Sequence, residues 1–566
     1  MNNTSTHMAS ESSISSRWLL KSVAIWALFV GIGVFGLTLY GVVRFYSPVP
    51  WWDEWDGYIG FYRNLTMGFW GGWWIPHMEH RLLLPRALFW LDIRVFGGMH
   101  YFLFFIEQAM LAAIAALVWR EYARGRRVVA PVGWLIGYPL ALIFSWVQSE
   151  VLKWGFEVQV IAAYLFAVAA AAQFSRLDGN RSAHLYSALF LATVAEVSMG
   201  NGMVAFVMLG IQGMIMRRPL RELLTVALWG GVAIAVYFFG YESPHIPHPP
   251  MSLLSKLRSF LEFFLVFLGN PLAFLAGDRF VVCFVAGFIS LSTATAATLQ
   301  LFRTRQISSY RGFLIAVYGF VVLSALAATT GRGYGGAGAA VASRYTTGPL
   351  LAWVALVFLL MDVTTRESRR LLLAAAATLF STVLAVSQTH VVDDASYLEQ
   401  WKLAVLAHKV GLDRPELDAL LFPGDAHDHF VSLADFAADQ QVALYGKGWL
   451  RDAGAVHYSA NARDDNWCHG WFDAISDDSA GFVAKGWVVA KTGQRDLLIV
   501  LANESGTTIG YGLSGQERDD VTKVMGRSAK HAGWTGFLRP TDGNVLAYAY
   551  RDQQFCYIGK FKHTIQ

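Results

Sequence analysis

Residues 23–43 read VAIWALFVGIGVFGLTLYGVV, an apolar run long enough to cross a bilayer as one helix. The run is longer than the core of a signal peptide and has no small-residue cleavage site, so we expect a retained first span. Similar runs recur along most of the chain, which is 55% hydrophobic and only 15% charged. This composition predicts a polytopic α-helical membrane protein. The net charge of +4 comes mainly from short loops, so no nucleic-acid partner is expected.

The loops between these runs predict the direction in which each span crosses the membrane. Loops rich in lysine and arginine mark the cytoplasmic side. They lie at 17–21, 120–127, 175–182, 217–222, 303–312 and 364–370. With these loops inside, residues 46–100 form an outer loop, the C-terminus is outside, and about 11 helices cross the membrane. The run 185–216 must then go out and return around Gly200 and Gly202. The run 253–276 is expected to be interfacial or re-entrant.

Composition divides the chain into four parts. Residues 1–17 are expected to form a cytoplasmic tail, residues 18–390 a multi-span catalytic domain, and residues 391–466 a connector of short helices. In residues 467–566, alternating runs such as DLLIVLAN and LAYAYRD recur between glycines, which predicts a small β-sandwich-like domain or, as the alternative, a small β-barrel. The expected location is a bacterial inner membrane, with the β-rich domain outside the cytoplasm.

Two of the three cysteines fall in the β-rich part of the chain. Cys468 lies near its first predicted strand and Cys556 near its last. A disulfide between them is a candidate in an oxidising compartment, and two free thiols are the alternative.

The first outer loop contains the segment PVPWWDEWDGYIGFYRNLTMGFWGGWWIPHMEHR, residues 48–81, with four acids and two histidines among six tryptophans. Asp53 and Glu54 follow the first span within a few residues. A carboxylate near hydrocarbon is costly unless it is paired or hydrated, so such groups are usually functional. Asp53 and Glu54 are therefore candidates for a general base, with Asp56 beside them. The alternative is that these acids only keep the loop solvated.

The end of this segment, HMEHRLLLPR, concentrates charge just before an apolar helix. Arginine binds phosphate through a planar fork of donors, so Arg81 and Arg86 are candidates to hold a lipid phosphate. The alternative is that both side chains reach for the headgroups. A divalent cation, manganese or magnesium, is a candidate cofactor, and zinc would also suit such ligands although the spacing matches no zinc signature. Its candidate ligands are Asp53, Glu54, His77, Glu79 and His80.

A third element, TTGRGYGGAGAAVASRYTTG at residues 329–348, is rich in glycine and is predicted to lie outside. Arg332 and Arg344 within it are further candidates for phosphate binding, and a flexible connection between helices is the alternative. The glycines do not match a Walker loop, which would need Gly-Lys-Ser/Thr. Residues expected to support the site or to bind the acceptor are Asp56, His77, Glu79, His80, Trp154, Glu157, Asn201 and Tyr345.

Across about residues 20–390 the architecture and the first outer loop resemble the GT-C class of membrane glycosyltransferases. Protein O-mannosyltransferases of that class carry an Asp-Glu pair soon after the first span, and WWDEWD supplies such a pair. The resemblance implies that Asp53 is the base, with Glu54 beside it. The His-Pro-Pro element that follows in the mannosyltransferases is replaced here by HMEHR, so the resemblance does not by itself imply a protein acceptor.

The resemblance implies an inverting displacement. A lipid-linked sugar is the donor, a glycan, lipid or protein hydroxyl is the acceptor, and an arginine neutralises the leaving phosphate. One rival is an O-antigen polymerase or ligase, which would transfer an oligosaccharide. The other is a non-enzymatic lipid or sugar transporter or an assembly scaffold, which should place its ionisable groups at mid-membrane, often in an internal repeat.

Overall fold

The computed structural model describes residues 4–125, 130–176, 181–242, 250–277, 280–412, 414–478, 481–539 and 542–563. The chain is a polytopic helical membrane protein with a C-terminal β domain, as predicted. It divides into two compact units. Unit 1 comprises Met1–Arg44, Trp73–Leu88 and Phe102–Asp393, and unit 2 comprises Phe45–Gly72, Phe89–Tyr101 and Asp394–Gln566.

This division differs from the predicted domain boundaries. The outer loop at 46–100 was assigned to the membrane domain, but most of it packs with the C-terminal part of the chain, and only residues 73–88 belong to the bundle. The predicted connector and β domain likewise form one unit. Sequence patterns could not show this, because contacts between distant segments leave no local periodicity.

The described ranges contain 22 α-helices. They are α1 Thr4–Arg44, α2 Phe61–Thr66, α3 Leu83–Val95, α4 Tyr101–Arg124, α5 Val132–Ile143, α6 Ser149–Leu152, α7 Val158–Ser175, α8 Arg181–Glu196, α9 Val204–Ile215, α10 Leu220–Phe238, α11 Leu253–Gly269, α12 Ala273–Ala276, α13 Val281–Arg303, α14 Ser309–Arg332, α15 Gly336–Ala340, α16 Thr347–Val363, α17 Glu367–Ala385, α18 Tyr397–Lys409, α19 Pro415–Asp418, α20 His427–Asp439, α21 Gly448–Asp452 and α22 Asp519–Met525.

Contacts inside unit 1 give the direction of its helices. Trp26 Nε1 donates to Thr382 Oγ1 at 3.0 Å, and Arg44 donates to the carbonyl of Asp393 at 2.9 Å, so α1 and α17 run parallel. At the opposite end, Arg176 contacts Glu121. We call that end, where Arg124, Arg176, Arg217 and Arg303 lie, the basic end of the bundle, and the other the distal end. Arg44 and Asp393 both lie at the distal end.

In the described residues, ten helical segments are long and apolar enough to cross a membrane, and 253–275 is one of them. Its contacts nevertheless indicate that it does not cross. Arg217, just before α10, donates to the carbonyl of Phe302 at the end of α13, so α13 begins at the distal end, where α10 finishes. Ser259 and Asn270 of the segment between them donate to carbonyls of Gly333 and Ala340, in one loop. The re-entrant or interfacial arrangement expected for this segment agrees with these contacts.

The helices α8 and α9 supply the two short legs that the sequence predicted. His184 contacts Gln173 near the end of α7, and Gln212 donates to Ser175 Oγ at 2.7 Å, so the pair starts and ends at the basic end. Nine of the ten long segments and these two legs make 11 helices that run between the ends of the described bundle. This matches the predicted number.

Unit 2 contains seven antiparallel strands, β1 Cys468–Asp478, β2 Gly481–Ala490, β3 Leu498–Asn503, β4 Thr508–Gln516, β5 Gly533–Leu538, β6 Gly543–Arg551 and β7 Gln554–His563. They form one sheet in the order β1-β2-β5-β4-β3-β6-β7. Its edge strands come together, because Phe472 of β1 packs on Phe561 of β7 and Cys468 is disulfide-bonded to Cys556. The domain is therefore a curled, barrel-like sheet, which is one of the two predicted alternatives, and the candidate disulfide is present.

Both faces of this sheet are covered. Trp534, Ile499 and Ile558 lie in the apolar core on the inner face. On the other face, Leu406 of α18 and Ala453 pack against strand residues. Leu406, Ala407 and Ala453 of the predicted connector are thus part of the core of the β domain.

Candidate functional site

The acidic pair, Asp53 and Glu54, lies in unit 2 behind a fixed tryptophan. Trp51 stacks on Trp401 of α18, with ring centroids 5.3 Å apart. Its indole N–H donates to the carbonyl of Leu420 at 3.2 Å. These contacts anchor the first outer loop on the C-terminal helices of the same unit.

The backbone around the acidic pair is unusual on both sides. Trp52 has a φ of +48°, a left-handed conformation that a bulky residue rarely adopts, and its N–H donates to the carbonyl of Leu421 at 2.7 Å. A π-helix, Trp55–Gly60, follows the pair at once. Such π-helical turns are rare and are found frequently at functional sites.

The two acids of the pair are in different environments. Glu54 is only 2% exposed, and its Oε2 accepts the N–H of Trp51 at 2.9 Å. Its Oε1 lies 3.8 Å from Nδ1 of the buried His100. Asp53 is partly exposed. Glu54 therefore holds the loop together, and Asp53 is the member of the pair that is accessible to solvent.

A second buried acid, Asp92, contacts His100, the residue beside Glu54. Asp92 Oδ2 accepts the hydroxyl of Tyr58 at 2.7 Å and the N–H of His100 at 3.3 Å. Burial, reinforced by the Asp92 carboxylate, raises the pKa of Tyr58 well above its ordinary value, so the phenol stays protonated and donates. Asp92, Tyr58 and His100 were not predicted from the sequence. Nothing in the sequence indicates that His100 lies close to the acidic pair.

Asp56, the third acid of the loop, faces outward. Its carboxylate lies 3.2 Å from Nε2 of His429 on α20, and both side chains are about half exposed. Asp56 is therefore well placed to hold the loop on α20, within unit 2.

In unit 1, the HMEHR segment forms a tight turn. His77 and His80 exchange backbone hydrogen bonds of 2.8 and 2.9 Å, and Met78 between them has a φ of +47°. The turn presents Glu79, whose carboxylate lies 2.7 Å from a guanidinium nitrogen of Arg332. The Arg332 side chain is 42% exposed, so part of its fork remains open to solvent or a ligand.

Arg81 is placed differently from the phosphate-binding role predicted for it. It is 1% exposed, and its guanidinium donates to the carbonyls of Tyr237 at 2.6 Å, Phe239 at 2.9 Å and Trp74. With its guanidinium nitrogens occupied by backbone carbonyls, it fixes the turn to the end of α10 and is not available to a phosphate.

Arg86 has a similar structural role. It is 3% exposed, and one of its guanidinium nitrogens donates to the carbonyls of Ile75 at 2.5 Å and Trp73 at 3.2 Å. The contact closes residues 73–86 on themselves. The prediction that Arg86 binds phosphate is therefore not supported by its surroundings.

Arg344 resembles Arg332. Its guanidinium lies 2.7 Å from the carboxylate of Glu150, its side chain is 45% exposed, and it stacks over the ring of Tyr345 at 5.5 Å. Tyr345 in turn packs on Phe267 of α11. The candidate residues Arg344 and Tyr345 thus form one cluster at the distal end, with Glu150 as the carboxylate that orients the cation.

Trp154 and Glu157 lie in the second outer loop and are largely buried, 9% and 4% exposed. The Trp154 ring packs on Phe156, and Phe156 contacts the ring of His77. Both residues therefore pack inside the bundle at its distal end. Because they are largely buried, their surroundings do not support the acceptor-binding role predicted for them.

His80 sits beside the Glu79–Arg332 pair. Burial lowers its pKa from 6.5 to about 4, although the Glu79 carboxylate acts in the opposite direction. The imidazole is therefore neutral at physiological pH and can accept a hydrogen bond. Asn201 lies in the 3-10 turn between α8 and α9, with its amide nitrogen 3.4 Å from Ser324 Oγ.

Glu196 was missed by the sequence analysis. It is the last residue of α8, is 1% exposed, and belongs to the apolar run LFLATVAEVSMGN. A single acid inside an apolar run directly before a glycine turn is the signal that could have identified it, because buried carboxylates in membrane segments are usually functional.

Within the ranges that the structure describes, no group of three or more His, Cys, Asp or Glu side chains is arranged to hold a metal ion. The predicted metal site is therefore not assigned.

Comparison with protein-family models, with curated proteins and with solved structures finds no match to this chain.

Proposed function

We propose that this protein is a membrane glycosyltransferase that moves a sugar from a polyprenyl-phosphate carrier to a hydroxyl of a cell-envelope polysaccharide, lipopolysaccharide or protein. The observation that supports this most is the placement of Arg332 and Arg344. Each guanidinium is half exposed and held by one carboxylate at the distal end of an apolar bundle. A lipid carrier reaches such a position by lateral diffusion, and its phosphate is the anion that an arginine fork binds best.

The reaction is an inverting displacement. Asp53 accepts the proton of the acceptor hydroxyl, and the oxygen attacks the anomeric carbon of the sugar. The bond from that carbon to the phosphate oxygen breaks, and the polyprenyl phosphate leaves with the electron pair. Arg332 and Arg344 stabilise the negative charge that develops on this phosphate, which is usually the larger electrostatic contribution. By the positive-inside rule the distal end faces away from the cytoplasm.

A polymerase or ligase that transfers a whole oligosaccharide is the second candidate. The arginines that remain open belong to a late loop of the bundle, and such proteins commonly use arginines in late outer loops. The two functions differ in the product, which is extended by one sugar in the first case and by a preformed oligosaccharide in the second.

Asp53→Asn tests the proposal directly. In a strain that carries only this variant, we expect the surface glycan to lack the transferred sugar, as in a deletion strain, while the protein is expressed and inserted normally. Mass spectrometry of the glycans from parent, deletion and variant strains measures the effect, and the mass difference distinguishes one sugar from an oligosaccharide.

Asp56→Asn is the matched control, because it makes the same change three residues away at an exposed acid. It should leave the glycan unchanged. A normal glycan in the Asp53→Asn strain would show that Asp53 is not the base.

A further inference from the structure

The turn between α8 and α9 in unit 1 is surrounded by polar atoms that lack hydrogen-bond partners. In the part of the chain that the structure describes, these are Oε1 of Glu196, Oδ1 of Asn201 and Nδ1 of His80. A buried acceptor without a partner costs about 1–3 kcal/mol, and the great majority of buried polar groups in folded proteins are satisfied. Three such atoms at one turn therefore indicate that something else supplies the donors.

Gly200 brings these groups together. A Cβ at this position would lie 2.8 Å from Nδ1 of His80 and 3.0 Å from the hydroxyl of Tyr237, so only glycine lets the turn approach both side chains. Asn201 is the next residue. The carboxylate of Glu196 is close enough to Tyr237 to act on it electrostatically.

The chemistry of the three atoms restricts the ligand. An ionised carboxylate and an amide oxygen accept hydrogen bonds, a protonated carboxyl group also donates one, and a neutral imidazole has one accepting nitrogen. A ligand that satisfies them must offer several O–H or N–H donors and no negative charge near Glu196. The hydroxyl groups of a sugar ring meet both conditions.

Arg332 lies beside this turn. It pairs with Glu79 at 2.7 Å, and its charge acts on His80. A cation for phosphate and a set of acceptors for hydroxyls are thus neighbours within unit 1, as the phosphate and the sugar ring are neighbours in a lipid-phosphate-linked sugar.

We propose that Glu196, Asn201 and His80 form the subsite for the donor's sugar ring, which donates hydroxyl hydrogen bonds to them while its phosphate is held by Arg332. This subsite rests on the proposed function and adds the residues that bind the hydroxyl groups of the sugar. Glu196 acts by binding the sugar, not by taking the proton of the acceptor.

The test compares two kinds of probe on the full-length protein in lipid nanodiscs, in the Asp53→Asn background so that the donor is not consumed. The probes are citronellyl phosphate alone and citronellyl phosphate linked to glucose, galactose or mannose. Isothermal titration calorimetry gives a Kd for each. For at least one hexose we expect the glycosylated probe to bind about 10-fold or more tightly than the bare phosphate, since hydrogen bonds to a charged group contribute about that factor.

Glu196→Gln should remove about 10-fold of the affinity for the glycosylated probe and leave the Kd for the bare phosphate within about two-fold. Glu222→Gln is the matched control, since Glu222 is a buried glutamate near the start of α10, at the basic end. It should change neither Kd. Asn201→Ala provides a second variant. It should likewise weaken binding of the glycosylated probe only, and it tests the sugar subsite if Glu196→Gln does not fold.

The outcomes separate the two proposals. Equal affinities for bare and glycosylated probes in the parent protein would overturn the sugar subsite and leave the phosphate assignment standing. The same would follow if neither Glu196→Gln nor Asn201→Ala changed the difference between the probes. Absence of binding by every probe would overturn the lipid-phosphate donor and the subsite with it.

Discussion

Arg81 and Arg86 differ from Arg332 and Arg344 in what holds the guanidinium group. The first two are 1% and 3% exposed and donate to backbone carbonyls. The second two are 42% and 45% exposed, and each is paired with one carboxylate. A guanidinium bound by carbonyls is used up in holding the chain, whereas one oriented by a single carboxylate keeps donors for an anion. The same charge therefore stabilises the fold in one place and is available for binding in the other.

The acidic pair repeats this difference in unit 2. Glu54 is buried and bonded to the N–H of Trp51, whereas Asp53 is partly exposed. In both units the buried member holds the backbone in place for a more exposed neighbour. Variants of buried members should therefore change stability, and variants of exposed members should change activity.

The largest effect is expected from Arg81→Met. It leaves three backbone carbonyls without their donor, at about 1–3 kcal/mol each, so we expect a loss on the order of 4 kcal/mol in the free energy of unfolding. Unfolding in mixed detergent micelles, followed by tryptophan fluorescence, measures it. Arg332→Met, the same substitution at an exposed position, is the control. Equal losses for the two variants would contradict the distinction between the two kinds of arginine.

A second effect should appear as a pH dependence. The pKa of His80 is about 4 in the folded protein and 6.5 ordinarily, so between these values the unfolded chain binds more protons. Stability should therefore fall as the pH is lowered through this window, by on the order of 2 kcal/mol at pH 5 relative to pH 7.

His80→Gln isolates that contribution, because it removes the titrating group and leaves the other ionisable groups in place. The difference in unfolding free energy between parent and variant should shrink or reverse as the pH falls from 7 to 5. A difference that is independent of pH would mean that His80 titrates normally, and the argument that its ring accepts a hydrogen bond at physiological pH would lose its basis.

Much of the fold could be predicted from local patterns. The apolar runs located the spans, and charge placement indicated that 185–216 goes out and back and that 253–276 does not cross. The alternating runs located strands such as β3 at Leu498–Asn503. These features depend on periodicity and length, which a sequence displays directly.

The site was harder to predict because it depends on contacts between distant residues. Arg81 and Arg332 look alike as letters, and only the carbonyls around Arg81 show that it is structural. The membership of residues 45–72 in unit 2 depends on the stacking of Trp51 on Trp401, which are separated by the whole bundle in sequence. Glu196 was visible as an acid in an apolar run, but the run itself does not show that it lies near Tyr237 of α10.

The smallest effect on stability is expected from Arg332→Ala. This variant tests most directly how the exposed arginines differ from the buried ones. Exposed ion pairs such as Arg332–Glu79 contribute about 0–1 kcal/mol, so the free energy of unfolding should change by less than about 1 kcal/mol. If the open guanidinium binds the carrier phosphate, the same variant should nevertheless weaken binding of citronellyl phosphate by about 10-fold or more, because charge-assisted hydrogen bonds are lost. Arg217→Ala, at the basic end, controls for the loss of a surface cation. Unchanged phosphate binding by Arg332→Ala would show that exposure and a single carboxylate partner do not identify a phosphate-binding arginine in this bundle.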